Sequence, residues 1–391
     1  MKASTASVQF SSLQHAHGDQ ERIFAVAFSI LEEAIATRAF PGASVAVTHA
    51  GKLVALKSFG KPVYQEPPPL SGSSRKGADF DFEVTPTTLF DLASLTKVVA
   101  TTTMAMMLYE RGLLDLEAPV AAIVPEFAFG RENDSRRSEV TLRMLLAHSS
   151  GLPAYEKLYL KAHTREELLQ AALTTRLAAD PGSRAEYSDI GFIMLGIALE
   201  RIAEDPLDVF CQREIFGPLA MSSTTFNPPA NSRAGIPPTQ DDRTFRRRIV
   251  QGEVQDENAF VLGGVAGHAG LFSTAEDLAR FAHAMLSGGH PILRGETISL
   301  FTRRETVPAG TSRALGWDTP SSPSQSGKYF SPASFGHLGY TGTSLWINPL
   351  RQLSIILLTN RTWPDCSNQA IKQVRPKFQD AVVEAVGLGD D

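Results

Sequence analysis

The chain has 391 residues, 43% of them hydrophobic and 20% charged, with a formal net charge of -5 at pH 7. That length suits one large or two ordinary domains with a sizeable core, and the slightly acidic balance provides no field to hold nucleic acid or an anionic membrane surface. Two cysteines, Cys211 and Cys366, lack any metal-ligand spacing, so neither a disulfide framework nor a zinc cluster is expected, and no cofactor or metal site is predicted.

Residues 1–20 are polar and expected to be mobile. They lack the apolar core of a signal peptide, which favours the cytoplasm, or the periplasm if a leader has been removed. A helix is predicted over 21–37, with Ile23, Val26, Ala27, Ile30 and Leu31 on one face. SVAVTHAGKLVALKSFG (44–60) reads as two strands turning at His49-Ala50-Gly51-Lys52. Residues 62–80, rich in Pro, Ser and Gly, form a long loop or flap.

From Ser94 to about residue 230 the signals are helical: a central helix over 94–114, then 141–147, 165–174 and 190–203. Residues 227–258 suggest a long surface excursion, with the basic run Arg243 to Arg248 as a solvated loop beside Asp241 and Asp242. LGGVAGHAG (262–270) matches neither dinucleotide nor phosphate-loop patterns and points to tight backbone approach near a cleft. A helix over 274–286 follows, capped by Ser273 or Thr274, and then strands over 314–317, 335–337, 343–347 and 353–359. LSIILLT, the last of these, is nearly all apolar, as a strand covered on both faces should be. A helix over 375–386 closes the chain. The order predicts an α/β (α+β) fold: an antiparallel sheet flanked by helices (21–93 plus 271–391), with a mostly helical lobe (94–270) inserted.

The central helix DLASLTKVVATTTMAMMLYERGLL carries no charge between Lys97 and Glu110, so it is predicted to be buried, and it is too short to span a membrane. Ser94 and Lys97 stand one turn apart at its head. A buried lysine loses pKa to desolvation and becomes able to take a proton from a neighbouring serine, which the helix N-terminus further activates. The same spacing occurs at Ser58–Lys61 and Ser73–Lys76, but only Ser94 opens an apolar helix. By spacing alone, Ser94 could equally be a helix-start residue and Lys97 a surface cation.

Two further clusters accompany them: Tyr187-Ser188-Asp189 in a turn before an apolar helix, and His337-Leu338-Gly339, followed by Gly342 and a strand. A phenol can act as general base if cations lower its pKa, and a glycine-bearing strand can bring N–H groups to an oxyanion. Tyr187 could instead be a packed turn tyrosine, and His337 a strand histidine without a chemical task. His148, His268, His283 and His290 show no ligand spacing and read as structural or surface residues.

With HSSGLP, PGSRAEYSD, GHAGLFSTAEDLARF and GHLGYTGTSLWINP in this order, residues 24–385 resemble the serine β-lactamase and penicillin-binding-protein superfamily. The nearest resemblance is to class C β-lactamases, D-alanyl-D-alanine carboxypeptidases and carboxylesterases of that fold. The resemblance implies that Ser94 forms an acyl-enzyme, Lys97 takes or relays its proton, and Tyr187 matches the tyrosine of the family's Tyr-x-Asn. It also implies an oxyanion hole from the backbone N–H groups of Ser94 and Tyr340, and substrate binding at Asp189, His337 and Gly339. Two positions depart from the pattern. Asp189 replaces an asparagine that could donate, and His337-Leu338-Gly339 replaces Lys-Thr-Gly, removing a cation that would hold a substrate carboxylate. The resemblance with these departures implies a carboxylesterase for short acyl esters, with weak β-lactam hydrolysis. The alternatives are a β-lactamase, a D-alanyl-D-alanine carboxypeptidase or D-aminopeptidase, or a homologue binding acylated or peptidoglycan ligands without turnover. The expected partner is a small ester or lactam.

Overall fold

LSIILLT lies inside a six-stranded sheet, with every residue buried. The computed structural model describes residues 13–16, 18–64, 80–128 and 134–389. The sheet runs β1-β3-β2-β11-β10-β9. Its strands are β1 Gln14–His15, β2 Gly42–His49, β3 Lys52–Gly60, β9 Phe335–Leu338, β10 Ser344–Asn348 and β11 Leu353–Thr359; between them in the chain come the short strands β4 Phe90–Asp91, β5 Thr225–Phe226, β6 Gln240–Asp242, β7 Arg248–Val250 and β8 Leu271–Ser273. All pairings in the large sheet are antiparallel except β1 with β3. The β2–β3 hairpin turns at Ala50 and Gly51, both at positive φ, as a two-residue turn matching strand twist requires.

Side-chain alternation divides β11 between two cores. Leu353, Ile355 and Leu357 face Phe28, Leu31, Phe378 and Val382 of the helices Ala25–Ala36 and Ile371–Ala385. Ile356 and Leu358 join the other core, with Leu278 and Ala282 of the helix Ala275–Leu286 and Val99 and Met104 of the central segment. The result is a mixed α/β fold: a sheet of strands from both chain ends, helices on both faces and a helical lobe inserted between them. Thr274 caps its helix by accepting from the Asp277 N–H. Among the described residues, no helix is long and apolar enough to cross a membrane.

The central segment is buried from Leu95 to Leu108, Lys97 included. It is not one regular helix. A 3₁₀ turn at Ala93–Leu95 precedes wide π-type turns at Lys97–Thr102, and regular α-helix holds only over Thr103–Glu110. Thr103 Oγ1 donates to Val98 O, five residues back, within the widened region. The glycine run of 262–270 does make its close approach: a Cβ on Gly267 would lie 2.2 Å from Phe192 O and 3.0 Å from Gly196 Cα. That contact seats the run on the helix Asp189–Ala203.

Several boundaries differ from expectation. The helix of 21–37 is interrupted at Phe24. Within the stretch expected to be mobile, Gln14–His15 pairs with β3, while residues 1–12 and 17 lie outside the described residues, as do 65–79 of the loop read over 62–80. Residues 314–317 form a turn instead of a strand, because Gly316 at φ +83 sits where a Cβ would meet Thr102 Oγ1 at 2.0 Å; only isolated bridges flank it. The excursion of 227–258 contains the β6–β7 hairpin and buries Val250 and Val254. Asp242 accepts from the backbone N–H groups of Thr244, Phe245 and Arg246, which turns the basic run back on itself.

Candidate active site

Ser94 is held from three sides. Behind it, Asp91 accepts from the Ala93 N–H (2.8 Å) with one oxygen and from the Gln255 N–H (2.6 Å) with the other. Ala93 takes φ +47, costly for a residue with a Cβ and sustained here by the Asp91 bond. Burial pushes the Asp91 carboxyl up to about 6. Beside it, the β9–β10 turn is lashed to the preceding segment: Thr341 Oγ1 donates to Asp91 O (2.7 Å) and Thr343 Oγ1 to Leu92 O (2.9 Å). Gly339 is needed there, since a Cβ would lie 1.9 Å from Thr343 Oγ1 and 2.5 Å from Leu92 O. Below, Thr96 Oγ1 donates to Ala93 O and accepts from the Leu271 N–H. Tyr340, the residue after Gly339, lines the same cavity as Ser94. Among the described residues, the Tyr340 N–H has no backbone acceptor.

Lys97 Nζ contacts three acceptors: Ser94 Oγ at 3.0 Å, Asp189 Oδ1 at 2.6 Å and His268 O at 2.9 Å. An ammonium matches all three with its three hydrogens. A neutral amine matches them too, donating to Asp189 and His268 and turning its lone pair to the Ser94 hydroxyl, so neither state leaves an orphaned group. Burial lowers the lysine pKa, and the adjacent Asp189 carboxylate opposes without cancelling it.

Tyr187 donates its hydroxyl to Ser94 Oγ at 2.7 Å. Ser188 caps the following helix, accepting from the Gly191 N–H and donating to Pro153 O. The His148 ring lies 4.7 Å from the Tyr187 ring, and its Nδ1 accepts from the Ser188 N–H. His148 is thus a tether for the tyrosine turn. Burial, reinforced by Asp189, raises the Tyr187 hydroxyl well above its ordinary value, so it rests as a phenol.

His337 sits 5.9 Å from the Tyr187 ring. Its Nδ1 is 2.8 Å from Leu338 O, and since a carbonyl only accepts, Nδ1 carries the proton. Burial, with Lys97 and Arg313 nearby, pushes its pKa down to about 3, so the ring is neutral. The structure therefore brings Ser94, Lys97, Tyr187 and Asp189 into one hydrogen-bonded group, with His337, Gly339 and Tyr340 on the adjoining wall of the same cavity. Asp189, expected to face substrate, directs one oxygen to Lys97. The cavity measures about 780 Å³, and its lining includes Tyr155, Tyr159, Glu257, Arg313, Arg361 and Arg375. Among the described residues, no cluster could hold a metal ion.

Sequence reading missed Asp91 and Arg313, while His148, read as structural or surface, is a buried structural tether. Asp91 adjoins a recognised motif, so its position in the chain was a usable signal. Arg313 had none, being brought in by the Gly316 turn.

A serine activated within hydrogen-bond reach of a buried lysine, beside a glycine-bearing hairpin on an α/β frame, defines a serine hydrolase of the acyl-enzyme type. The chain belongs to the Beta-lactamase family, whose profile matches residues 28–375. It is 33% identical over 356 residues to an N-acetylmuramyl-L-alanine amidase of Bacillus subtilis, covering 82% of this chain and 77% of that protein. It is also 33% identical over 306 residues to a protein of Escherichia coli provisionally named D-alanyl-D-alanine carboxypeptidase, covering 70% and 69%. Among solved structures, EstCE1, a hydrolase with promiscuous acyltransferase activity, superposes with a TM-score of 0.74 at 20% identity over 93% of this chain and 99% of that one. A class C β-lactamase does so at 0.70 and 20%, over 93% and 98%. These last two likenesses establish the fold alone.

Proposed function

We propose that the protein hydrolyses an amide bond in a peptide or peptidoglycan-derived substrate through an acyl-enzyme on Ser94. The observation that carries this reading is the cavity: about 780 Å³, with Lys157, Glu257, Arg313, Asp318, Arg361 and Arg375 in its lining, is more room and more polarity than a short acyl ester needs. The amidase and the carboxypeptidase among the relatives, both named for amide cleavage, support it.

In this mechanism neutral Lys97 takes the Ser94 proton as Oγ attacks the carbonyl carbon. The oxyanion is met by the Ser94 and Tyr340 N–H groups, each donor of this kind being worth about 10²- to 10³-fold in rate. Tyr187, resting as a phenol, protonates the departing nitrogen and is reprotonated from Lys97; both lie within reach of Ser94 Oγ. Water then takes the amine's place: Tyr187 passes its proton to Lys97 while taking one from the water that attacks the acyl carbonyl, and Lys97 returns that proton to Ser94 Oγ as the ester bond breaks. In acylation, then, Lys97 is the base and Tyr187 the acid.

A carboxylesterase for short acyl esters is the second reading, favoured by neutral His337 and by Asp189 where the family has an asparagine. Steady-state rates on an N-acyl-D-alanyl-D-alanine peptide, a muramyl peptide, p-nitrophenyl butyrate and nitrocefin separate the two. Turnover of either peptide, abolished in Ser94→Ala, supports the amide reading. Turnover of the butyrate alone transfers the conclusion to the esterase, and a stoichiometric burst without turnover would make the chain an acyl-binding homologue.

A further inference from the structure

One pair on the cavity lining takes no part in the mechanism above: Asp256, near the end of the 227–258 excursion, and His268, in the glycine run of 262–270. Burial works to raise the Asp256 carboxyl, but its interaction with His268 outweighs that and holds it below the ordinary value, so it is ionised. His268 is buried, and its Nε2 lies 2.8 Å from Asp256 Oδ1. A carboxylate only accepts, so Nε2 carries the proton. Among the described residues Nδ1 is buried without a partner, which makes the bond to Asp256 the single hydrogen bond of the ring.

The two ends of this bond are fixed by different parts of the chain. Asp256 Oδ1 also accepts from the Ala259 N–H (2.8 Å), capping the helix Glu257–Val261, and the Asp256 carbonyl accepts from Arg246. Gln255, the residue before it, gives its N–H to Asp91, the carboxylate that holds Ala93 next to Ser94. At the other end, Gly267 packs against the helix Asp189–Ala203 and its carbonyl accepts from Thr101 Oγ1 (2.7 Å), while the His268 carbonyl accepts from Lys97 Nζ (2.9 Å). One short segment, 255–256, therefore braces both the turn of the nucleophile and an acceptor of the base.

That acceptor has a competitor. Lys97 Nζ is 2.6 Å from Asp189 Oδ1 and 3.0 Å from Ser94 Oγ, and the carboxylate is the stronger acceptor. With the 268 carbonyl displaced, the amine turns toward Asp189 and away from the serine. We infer that Asp256 and His268 are a positioning pair for the general base: their hydrogen bond fixes the carbonyl that keeps Lys97 Nζ directed at Ser94 Oγ. This rests on Lys97 as the base and is indifferent to whether the bond cleaved is an amide or an ester. The pair also brings a charge. Burial lowers the Lys97 pKa, Asp189 and then Asp256 oppose it, and Arg313 adds to it. The other titratable neighbours of Lys97, namely Tyr187, His148 and His337, are held neutral by burial.

The test measures kcat, KM and the pH profile of kcat/KM in the parent, His268→Ala, His268→Gln and Asp256→Asn, on whichever of the four substrates above acylates the parent fastest. His268→Ala should lower kcat by about 10- to 100-fold with KM little changed, the scale of an ångström's misplacement at a reacting group. His268→Gln keeps a side-chain N–H for Asp256 and should recover most of that loss. Asp256→Asn keeps both hydrogen bonds through its amide oxygen, so it should cost less in kcat than His268→Ala. With the carboxylate gone, its acid limb should move to lower pH, and this variant serves if His268→Ala does not fold. A parental kcat in His268→Ala, a His268→Gln no faster than His268→Ala, or an unmoved acid limb in Asp256→Asn would each overturn the pair and leave His268 as a packed core residue. Lys97→Met at the parental rate is the separate failure, since it removes the base that the pair positions.

Discussion

The group around Ser94 and the cavity wall at His337 and Arg313 are built differently. Around Ser94 each polar group is matched: Asp91 by two N–H groups, Lys97 by three acceptors, Thr96, Thr341 and Thr343 by backbone partners. On the wall, His337 Nε2 is buried without a partner among the described residues, and Arg313 is loosely held. A matched site is rigid and suits one reaction; an incompletely matched wall is where substrate choice can change while the reaction stays the same.

The difference can be broken most sharply at Lys97. Lys97→Met should lower kcat/KM by about 10²- to 10⁴-fold, the range for losing a positioned base. It should also destabilise by about 3 kcal/mol through the Asp189 charge left buried. Adding Asp189→Asn should recover stability and not activity, which denaturant titration and rate measurements read separately.

Gly339→Ala tests whether the hairpin is held against Ser94 by contact. The new methyl group must displace Thr343 or the Leu92 carbonyl. With Tyr340 moved, a loss of about 10²- to 10³-fold in kcat is expected, comparable to losing one oxyanion donor. A variant with parental kcat would show that the close approach is not required.

Asp91 sharpens the comparison through pH. Its folded value of about 6 lies above the unfolded carboxylate value, so the folded state holds a proton that the unfolded state releases. Its contribution to stability is fully present below about pH 4 and is lost as pH rises through about 6, a change of about 3 kcal/mol. Denaturation midpoints measured from pH 4 to 7 should show that component, and Asp91→Asn should remove it. The smallest effect is expected for Asp189→Asn alone. Asp189 favours the charged Lys97, whereas the reaction needs the amine, so removing the carboxylate lowers the Lys97 pKa further. The acid limb of the kcat/KM profile should move to lower pH; movement to higher pH would mean that Asp189 does not act on Lys97.

The element types of the scaffold were legible wherever periodicity reported burial. β11 was readable because both its faces are covered, and the helix Ala275–Leu286 because Thr274 caps an amphipathic pattern. The turn at 314–317 was not, because its apolar residues imitate a strand and only the nearby Thr102 side chain makes Gly316 a bend. The widened turns at Lys97–Thr102 were missed because the local pattern of the sequence is that of a regular helix.

The residue types and order by themselves singled out the group that the fold brings together, because Ser94, Lys97 and Tyr187 each lie at the start of an apolar helical segment, where spacing and capping are local properties of the chain. Only the tertiary structure decided the protonation and charge of the site. Whether Tyr187 rests as a phenol, His337 stays neutral and Asp189 faces Lys97 depends on burial and on charges from segments more than 90 residues apart, which the folded packing brings within a few ångströms.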